Sequence, residues 1–191
     1  MNLILASASP RRQELLKLLG LPFTVRVADI DETMDLSRSA FEEVARVSRQ
    51  KALAVPRQAD DVIIAADTIV VCEGKILGKP RTEEDARQML SLLSGRDHQV
   101  MTGCTILRGE QAVSFTEVTD LHFRPLSDRE IDRYVASGEP MDKAGSYGIQ
   151  GGAALFCSHM AGDYYNVMGL PLCTLVQKLA QAVPEWMEVI L

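Results

Sequence analysis

The sequence lacks the marks of a membrane or secreted protein. No apolar run approaches the roughly 18 residues that a membrane-spanning helix needs. The N-terminus has no basic segment followed by a long apolar one, so we expect no secretory signal. The four cysteines form no CxxC pair, which predicts free thiols in a reducing compartment. We therefore expect a cytoplasmic protein with no membrane partner.

An excess of positive charge is also missing. The formal net charge is -6 at pH 7, whereas a nucleic-acid partner needs a basic face, so we expect no nucleic-acid partner. His98, His122 and His159 form no HxxxH or HxH pattern, and the residues predict no zinc site. Neither a GxxxxGK[ST] P-loop nor a GxGxxG motif occurs. A phosphate site in this chain must be built in some other way.

The chain has the length and patterning of one mixed α/β domain. Its 191 residues, 47% of them hydrophobic, suit a single domain, residues 1–191, with a sizeable core. Helices alternate with both isolated strands and hairpins, which predicts a mixed sheet flanked by helices. The expected strands and hairpins are strands at 2–7, 23–29 and 61–71, a long hairpin within 98–123 and a hairpin at 155–168. The expected helix starts are Pro10, Ala40, Thr82 as an N-cap, Ser127 as an N-cap, and Pro171.

The stretch SASPRR, residues 7–12, places cations where a helix disfavours them. Pro10 suits the first position of a helix with Ser9 as N-cap, so Arg11 and Arg12 fall in the first turn. The helix dipole favours anions at that end. Serine hydroxyls, guanidinium groups and free N–H groups there can bind phosphate. The alternative is a solvated helix start whose arginines pair with acids such as Glu14.

Asp67 lies inside an apolar run, and a buried carboxylate without a partner costs several kcal/mol. We expect it at a strand end facing a cleft, as a metal ligand or general base, or else as a structural turn cap. Thr68 beside it donates a hydrogen bond to a ligand or simply fills the strand. The acids of residues 29–33 suit Mg²⁺ or form a solvated face.

Three lysines and one glycine-rich loop complete the candidates. Lys51, Lys79 and Lys143 are each either ligand contacts or surface lysines, and Lys79 is the most informative because Gly and Pro flank it. In the loop AGSYGIQGG, Tyr147 and Gln150 offer an aromatic face and an amide that suits a nucleobase edge. The alternative for this segment is an ordinary flexible loop.

In this order the stretches resemble one family, the Maf-like nucleoside triphosphate pyrophosphatases, also called septum-formation inhibitor proteins. The similarity runs over about residues 3–180 and rests on LASASPRRQELL, DIDE, SRQKA, AADTIV, GKP, DKAGSYGIQG and NVMGLPL. The resemblance implies a hydrolase, a nucleotide diphosphatase that releases pyrophosphate with a divalent metal, Mg²⁺ or Mn²⁺. It also implies a homodimer. The implied fold is that of the inosine-triphosphate pyrophosphatases, a bent mixed sheet in two lobes around a deep cleft.

The resemblance also assigns roles to residues of this chain. It implies Asp67 as the proton acceptor, and Glu32 with Asp67 as metal contacts, although Asp31 is a second acid in the same loop. The phosphate contacts that it implies are Ser7, Arg12, Lys51 and Lys79. Arg11, Thr68 and Gln150 match the branch selective for dTTP and UTP, whereas the branch acting on 7-methyl-GTP tends to have Trp, Gln and Glu there.

The expected function is therefore hydrolysis of dTTP and UTP, and of modified pyrimidine nucleotides, as housekeeping of the nucleotide pool. One alternative is a nucleotide-binding regulator of cell division and septum formation with little turnover. Another is hydrolysis of a purine triphosphate.

Overall fold

The computed structural model describes residues 1–35 and 37–190, which divide into two compact units. Unit 1 comprises the described residues of Met1–Asp67, Thr102–Glu117 and Gly169–Leu191. Unit 2 comprises Thr68–Met101 and Val118–Met168. Leu36 and Leu191, which the predicted domain 1–191 includes, lie outside the described residues. The single domain stays a prediction.

The helices begin largely where the sequence predicts. Their bounds are α1 Pro10–Lys17, α2 Ala40–Ala54, α3 Glu83–Leu93, α4 Asp128–Val135, α5 Tyr164–Met168 and α6 Leu172–Ala182. The side chains of Ser39, Thr82 and Ser127 each accept a hydrogen bond from the backbone N–H three residues further on. This contact satisfies one of the donors that a helix start leaves open, which is why α2, α3 and α4 begin there.

The strands form one mixed sheet in the order β2-β1-β3-β5-β6-β7, with β4 pairing with β3. Their bounds are β1 Leu3–Leu5, β2 Phe23–Val25, β3 Val62–Cys72, β4 Lys75–Leu77, β5 Asp97–Arg108, β6 Gln111–Phe123 and β7 Cys157–Ala161. β1 runs parallel to β2 and β3, whereas β4 is antiparallel to β3 and β7 to β6. The predicted mixed α/β class with helices flanking a mixed sheet is confirmed.

The hairpin predicted for residues 155–168 is wrong in its second half. β7 pairs with β6, and the residues after it form the short helix α5. Tyr164, Tyr165 and Val167 favour strands by propensity. However, the Asp163 side chain accepts the backbone N–H of Tyr165, a local contact that starts a helical turn. The buried Asn166 then donates its amide to the Val100 carbonyl, which fixes the helix against β5 within unit 2.

Each unit has its own core. In unit 1, side chains of β1, β3 and α2 pack together, including the fully buried Ile4, Ile63 and Ala52. Gly103 of β5 lies where α2 comes closest, and a Cβ built there would overlap the carbonyl oxygen of Val44. The core of unit 2 centres on α3, α4 and β6, with Leu90 and Phe123 fully buried. Burial of each such large side chain contributes about 1.5–3 kcal/mol.

Among residues 1–35 and 37–190, the helices are all too short or too polar to cross a membrane.

Candidate functional site

The helix α1 begins where the sequence predicts, with Arg11 and Arg12 in its first turn. Pro10 is the first helical residue and Ser9 holds the N-cap position, but the Ser9 side chain makes no capping hydrogen bond. The first turn of α1, which the structure describes in full, carries no acidic side chain. The helix start therefore presents donors and positive charge together.

Arg12 is held from two sides at the start of α1. Its Nε donates to the carbonyl oxygen of Gly169 at 2.8 Å, and its Nη1 donates to Ser7 Oγ at 3.2 Å. Burial lowers the pKa of the Arg12 guanidinium below its ordinary value, and the negative charge of Asp67 opposes that shift. The structure thus brings Ser7 and Arg12 together, and half-buried Arg11 precedes them on the same turn.

Lys51 of α2 ties two carboxylates together. Its Nζ lies 2.7 Å from Asp67 Oδ1 and 2.8 Å from Glu32 Oε2. The Asp67 side chain is 12% exposed and that of Glu32 is 56% exposed. Asp67 is therefore the buried acid that the sequence predicts must have a partner, and an ammonium supplies that partner.

The loop that bears Glu32 is fastened to α2 by residues that the sequence analysis missed. Fully buried Glu43 accepts the backbone N–H of Asp35 at 2.8 Å, and Arg46 Nη2 donates to the carbonyl oxygen of Thr33 at 2.9 Å. Hydrogen bonds from Arg46 lower the pKa of the Glu43 carboxyl, so the pair stays ionised. The i, i+3 spacing of a Glu and an Arg was the signal available in the sequence.

A local turn distinguishes Asp31 from Glu32, the two acids of this loop that are candidate metal contacts. Asp31 Oδ1 accepts the backbone N–H of Thr33 at 2.9 Å, and hydrogen bonding from Thr33 lowers the pKa of the Asp31 carboxyl. This contact turns the Asp31 carboxylate back on its own loop. Glu32 is the acid of this loop that reaches Lys51.

The donor set of Glu32 and Asp67 fits a divalent cation. Within the described part of the chain, no three His, Cys, Asp or Glu side chains gather into a metal cage. Mg²⁺ usually binds through one or two carboxylates and takes its other ligands from water and substrate phosphates. Two carboxylates that share one ammonium, as here, match that pattern.

In unit 2, two of the motifs that carry the resemblance are joined by a backbone hydrogen bond. Thr68 opens the unit within β3, and Gly78 and Lys79 follow β4. The backbone N–H of Gly145 donates to the carbonyl oxygen of Gly78 at 3.0 Å, which joins the GKP stretch to the glycine-rich segment. Lys79 itself is exposed.

Gln150 lies at the tip of a tight turn. The backbone N–H of Gly151 donates to the carbonyl oxygen of Gly148 at 3.0 Å, which makes Gln150 the third residue of a four-residue turn. The Gln150 side chain is exposed. The segment is thus an ordered turn flanked by short 3-10 turns at Ala144–Ser146 and Gly152–Leu155.

The expectation that Tyr147 offers an aromatic face to a ligand is wrong. Tyr147 is 5% exposed, and its hydroxyl hydrogen-bonds His98 Nε2 at 2.9 Å. Its ring meets those of Phe123 and His98 edge to face. The glycines around Tyr147 suggested an exposed loop, but the ring buries more apolar area in the core than a surface position would allow.

The side chain of Lys143 binds residues that shortly precede it in the chain. Its Nζ donates to the carbonyl oxygen of Glu139 and to Asp142 Oδ1, both at 2.6 Å.

Cys104 of β5 is no nucleophile for this site. Its side chain is fully buried, and burial raises the pKa of the thiol to about 12. The thiolate is the reactive form of cysteine, so Cys104 stays inert at neutral pH.

Comparison with known proteins assigns the chain to a family. The model of the Maf-like protein family matches residues 2–182 of the chain. A dTTP/UTP pyrophosphatase of Bacillus cereus (strain AH820) is 49% identical over 181 residues, which cover 94% of this chain and 95% of the relative. A dTTP/UTP pyrophosphatase of Halalkalibacterium halodurans is 52% identical over 178 residues, which cover 93% of this chain and 94% of the relative.

Among solved structures, a HAM1 protein from Coxiella burnetii aligns with a TM-score of 0.51. The alignment covers 95% of this chain and 99% of that chain at 16% sequence identity. At that identity the likeness concerns the fold.

Proposed function

The chain belongs to the family of Maf-like proteins, and on that premise we propose that it is a pyrophosphatase acting on dTTP and UTP. The observation that carries the proposal is the arrangement in unit 1, where Lys51 joins Asp67 to Glu32 and α1 begins with Arg11 and Arg12. The names of relatives with about half of their residues identical to this chain support the substrates.

In this proposal the triphosphate is the anion that binds at the start of α1. Ser7 and Arg12, which lie in hydrogen-bond contact, would bind phosphate oxygens together with backbone N–H groups at the helix start. Lys51, in contact with Asp67 and Glu32, would add a further positive charge. By the resemblance, Lys79 of unit 2 is a further phosphate contact, and Arg11, Thr68 and Gln150 select the pyrimidine base.

Asp67 is the proton acceptor in this proposal. A water molecule attacks the α-phosphorus, and a new P–O bond forms. The bond between the α-phosphorus and the oxygen that bridges it to the β-phosphorus breaks, and pyrophosphate leaves with that oxygen. The proton of the water passes to the Asp67 carboxylate. Lys51 holds that carboxylate in place through its 2.7 Å contact.

Glu32 and Asp67 would hold the divalent cation, Mg²⁺ or Mn²⁺, which supplies charge neutralisation and polarisation of the phosphates when bound. The fastening of the Glu32 loop by Glu43 and Arg46 supports this role, because a metal ligand must be held in position.

Pyrophosphate release from a panel of nucleoside triphosphates, with Mg²⁺ or Mn²⁺, tests the proposal. The unaltered chain and the control Asp60→Asn, an exposed aspartate, should release pyrophosphate from dTTP and UTP. Asp67→Asn should lose activity by about 10²–10⁴-fold, the usual contribution of a general base.

Two results would overturn the proposal in different ways. Tight triphosphate binding without any release would favour a nucleotide-binding regulator of cell division. Release mainly from purine triphosphates would contradict the pyrimidine assignment.

We also propose a cytoplasmic homodimer. The homodimer follows the family resemblance, and a reducing compartment suits the cysteines, since Cys72, Cys104, Cys157 and Cys173 are all free thiols. Light scattering on the purified chain should give twice the mass of the 21.0 kDa monomer. A mass of one chain at micromolar concentration would contradict the dimer.

A further inference from the structure

The turn that carries Gln150 is held at both ends by two side chains that the proposed function leaves unassigned. The hydroxyl of Tyr134 accepts the backbone N–H of Gly148 at 3.0 Å. The carboxylate of Glu139 accepts the backbone N–H of Gly152 at 3.1 Å through Oε2. These two donors flank Gln150 two residues before and two residues after it.

Tyr134 and Glu139 also bind each other. The Tyr134 hydroxyl donates to Glu139 Oε1 at 2.9 Å while it accepts from Gly148. Burial raises the pKa of Tyr134, and hydrogen bonding to Glu139 acts in the same direction, so the hydroxyl keeps the proton that it donates. One connected network thus spans α4, the Glu139–Asp142 turn and the Gln150 turn, all within unit 2.

The glycines of the turn leave room for this network. A Cβ built on Gly151 would overlap Glu139 Oε1, so the carboxylate occupies the place where any side chain would begin. A Cβ on Gly152 would lie 3.2 Å from the ring of Tyr134. The turn therefore lies directly on the Glu139 carboxylate and the Tyr134 ring.

We propose that Tyr134 and Glu139 are positioning residues that hold the Gln150 turn in one fixed position and thereby set the selectivity for the nucleobase. This inference rests on the proposed function, in which Gln150 faces the base. A hydrogen bond weakens steeply with distance and angle, so an amide on a loosened turn discriminates less between bases. We assign neither residue a contact with the reacting atoms.

The test combines hydrogen exchange with kinetics in Tyr134→Phe and Glu139→Gln. Tyr134→Phe removes only the hydroxyl and keeps the ring packed in the core. Glu139→Gln keeps one oxygen, which can accept from Tyr134 or from Gly152 but not fully from both. Tyr164→Phe, at a tyrosine that is 41% exposed, is the matched control.

In Tyr134→Phe we expect the amides of residues 148–152 to exchange at least about tenfold faster, while the exchange of β3 and β5 stays unchanged. We expect KM for dTTP and UTP to rise about tenfold with kcat within about threefold. The ratio of kcat/KM for UTP to that for CTP and GTP should fall by a similar factor. Glu139→Gln should show the same changes to a smaller extent, and Tyr164→Phe none.

Unchanged exchange in the turn would overturn the positioning role. Faster exchange with unchanged KM and selectivity would overturn the link to Gln150. Failure of the proposed function gives a different result, because the unaltered chain itself would then release no pyrophosphate from dTTP or UTP, and the selectivity role would fall with it.

Discussion

At the scale of single residues, Lys51 contacts two carboxylates of unequal burial. An exposed ion pair contributes about 0–1 kcal/mol, whereas breaking a buried pair costs about 3–5 kcal/mol because a charge is left without compensation. Asp67 is mostly buried and Glu32 mostly exposed. The contact between Lys51 and Asp67 should therefore dominate the stability of this cluster.

We predict that Lys51→Met lowers the free energy of unfolding by about 3 kcal/mol, because it removes the cation in direct contact with the mostly buried Asp67 carboxylate. Glu32→Gln should cost no more than about 1 kcal/mol. In the double variant Lys51→Met/Asp67→Asn the loss should be smaller than the sum of the two single losses. Urea unfolding at pH 7 of the unaltered chain, the three single variants and the double variant measures these losses, and additive losses in the double variant would contradict the coupling.

His98 gives a second prediction at this scale. The ring is 3% exposed, and burial lowers the pKa of His98 from 6.5 to about 4. Between these values the unfolded chain binds a proton that the folded chain does not bind. The free energy of unfolding should therefore fall as the pH falls from about 6.5 to about 4, by up to about 3 kcal/mol from this residue.

Urea unfolding from pH 7 to pH 4 checks this prediction. His98→Gln, whose amide can still donate to Tyr147, should flatten the pH dependence. His159→Gln, at an exposed histidine, is the control and should keep it. An unchanged slope in His98→Gln would show that other groups cause the loss of stability in acid.

At the scale of elements, the start of α1 differs from those of α2, α3 and α4. Those three helices begin with a side-chain cap and with acids in the first turn. The first turn of α1, described in full, has neither. Caps and acids stabilise a helix start, so α1 begins without two stabilising contacts that the other three helices have.

The caps supply a direct prediction. Ser127 of α4 forms a full capping box with Glu130, whereas Ser9 of α1 makes no capping hydrogen bond. Ser127→Ala should lower the free energy of unfolding by about 1 kcal/mol, and Ser9→Ala by clearly less. Urea unfolding of both variants measures this, and equal losses would contradict the difference between the two caps.

The anion site that we propose at the start of α1 gives another prediction. Arg12→Gln should weaken the binding of inorganic pyrophosphate by at least about tenfold, because a hydrogen bond to a charged group contributes about 1.5–3 kcal/mol. Titration calorimetry measures the affinity. Arg49→Gln, at an exposed arginine of α2, is the control, and equal affinities of the two variants would place the anion elsewhere.

Local signals explain how far the sequence predicted these elements. The caps at Ser39, Thr82 and Ser127 and the apolar run of β3 depend on neighbouring residues, and the structure confirms them. The helix α5 was missed because its residues favour strands by propensity, whereas the contact of Asp163 with Tyr165 and the long-range contact of Asn166 with Val100 favour the helix.

For the candidate site, the sequence supplied residue types and the family, but not contacts. The approach of Lys51 to Asp67 and Glu32 depends on how α2 lies in the fold. Nothing near Tyr134 or Glu139 in the sequence predicts that they hold the turn of Gln150. Tyr147 was misjudged because flanking glycines indicate exposure, whereas its ring completes an aromatic core.

At the scale of the whole molecule, the chain passes between the two units at residues 67–68, 101–102, 117–118 and 168–169. The first three passages fall inside the strands β3, β5 and β6, which continue without a break. Neither unit is therefore one contiguous piece of chain. Strands shared in this way couple the folding of the two units.

We predict that the two units unfold in a single transition. Cys104 in unit 1 and Cys72 in unit 2 are both buried free thiols. Pulse alkylation across a urea gradient, read by mass spectrometry on separate peptides, should give the same midpoint for both. The fluorescence of Trp186, the single tryptophan, should follow the same curve, and two separate midpoints would contradict coupled folding.

The contact at Gly103 has a consequence for the evolution of the gene. Every missense change at this codon adds at least a Cβ, which would meet the carbonyl of Val44 in the backbone of α2, where no rotamer change can relieve the overlap. The same helix carries Lys51, so a shift of α2 would also disturb the bridge to Asp67. Selection should therefore keep glycine at position 103 for two reasons at once, whereas silent changes in its codon remain free.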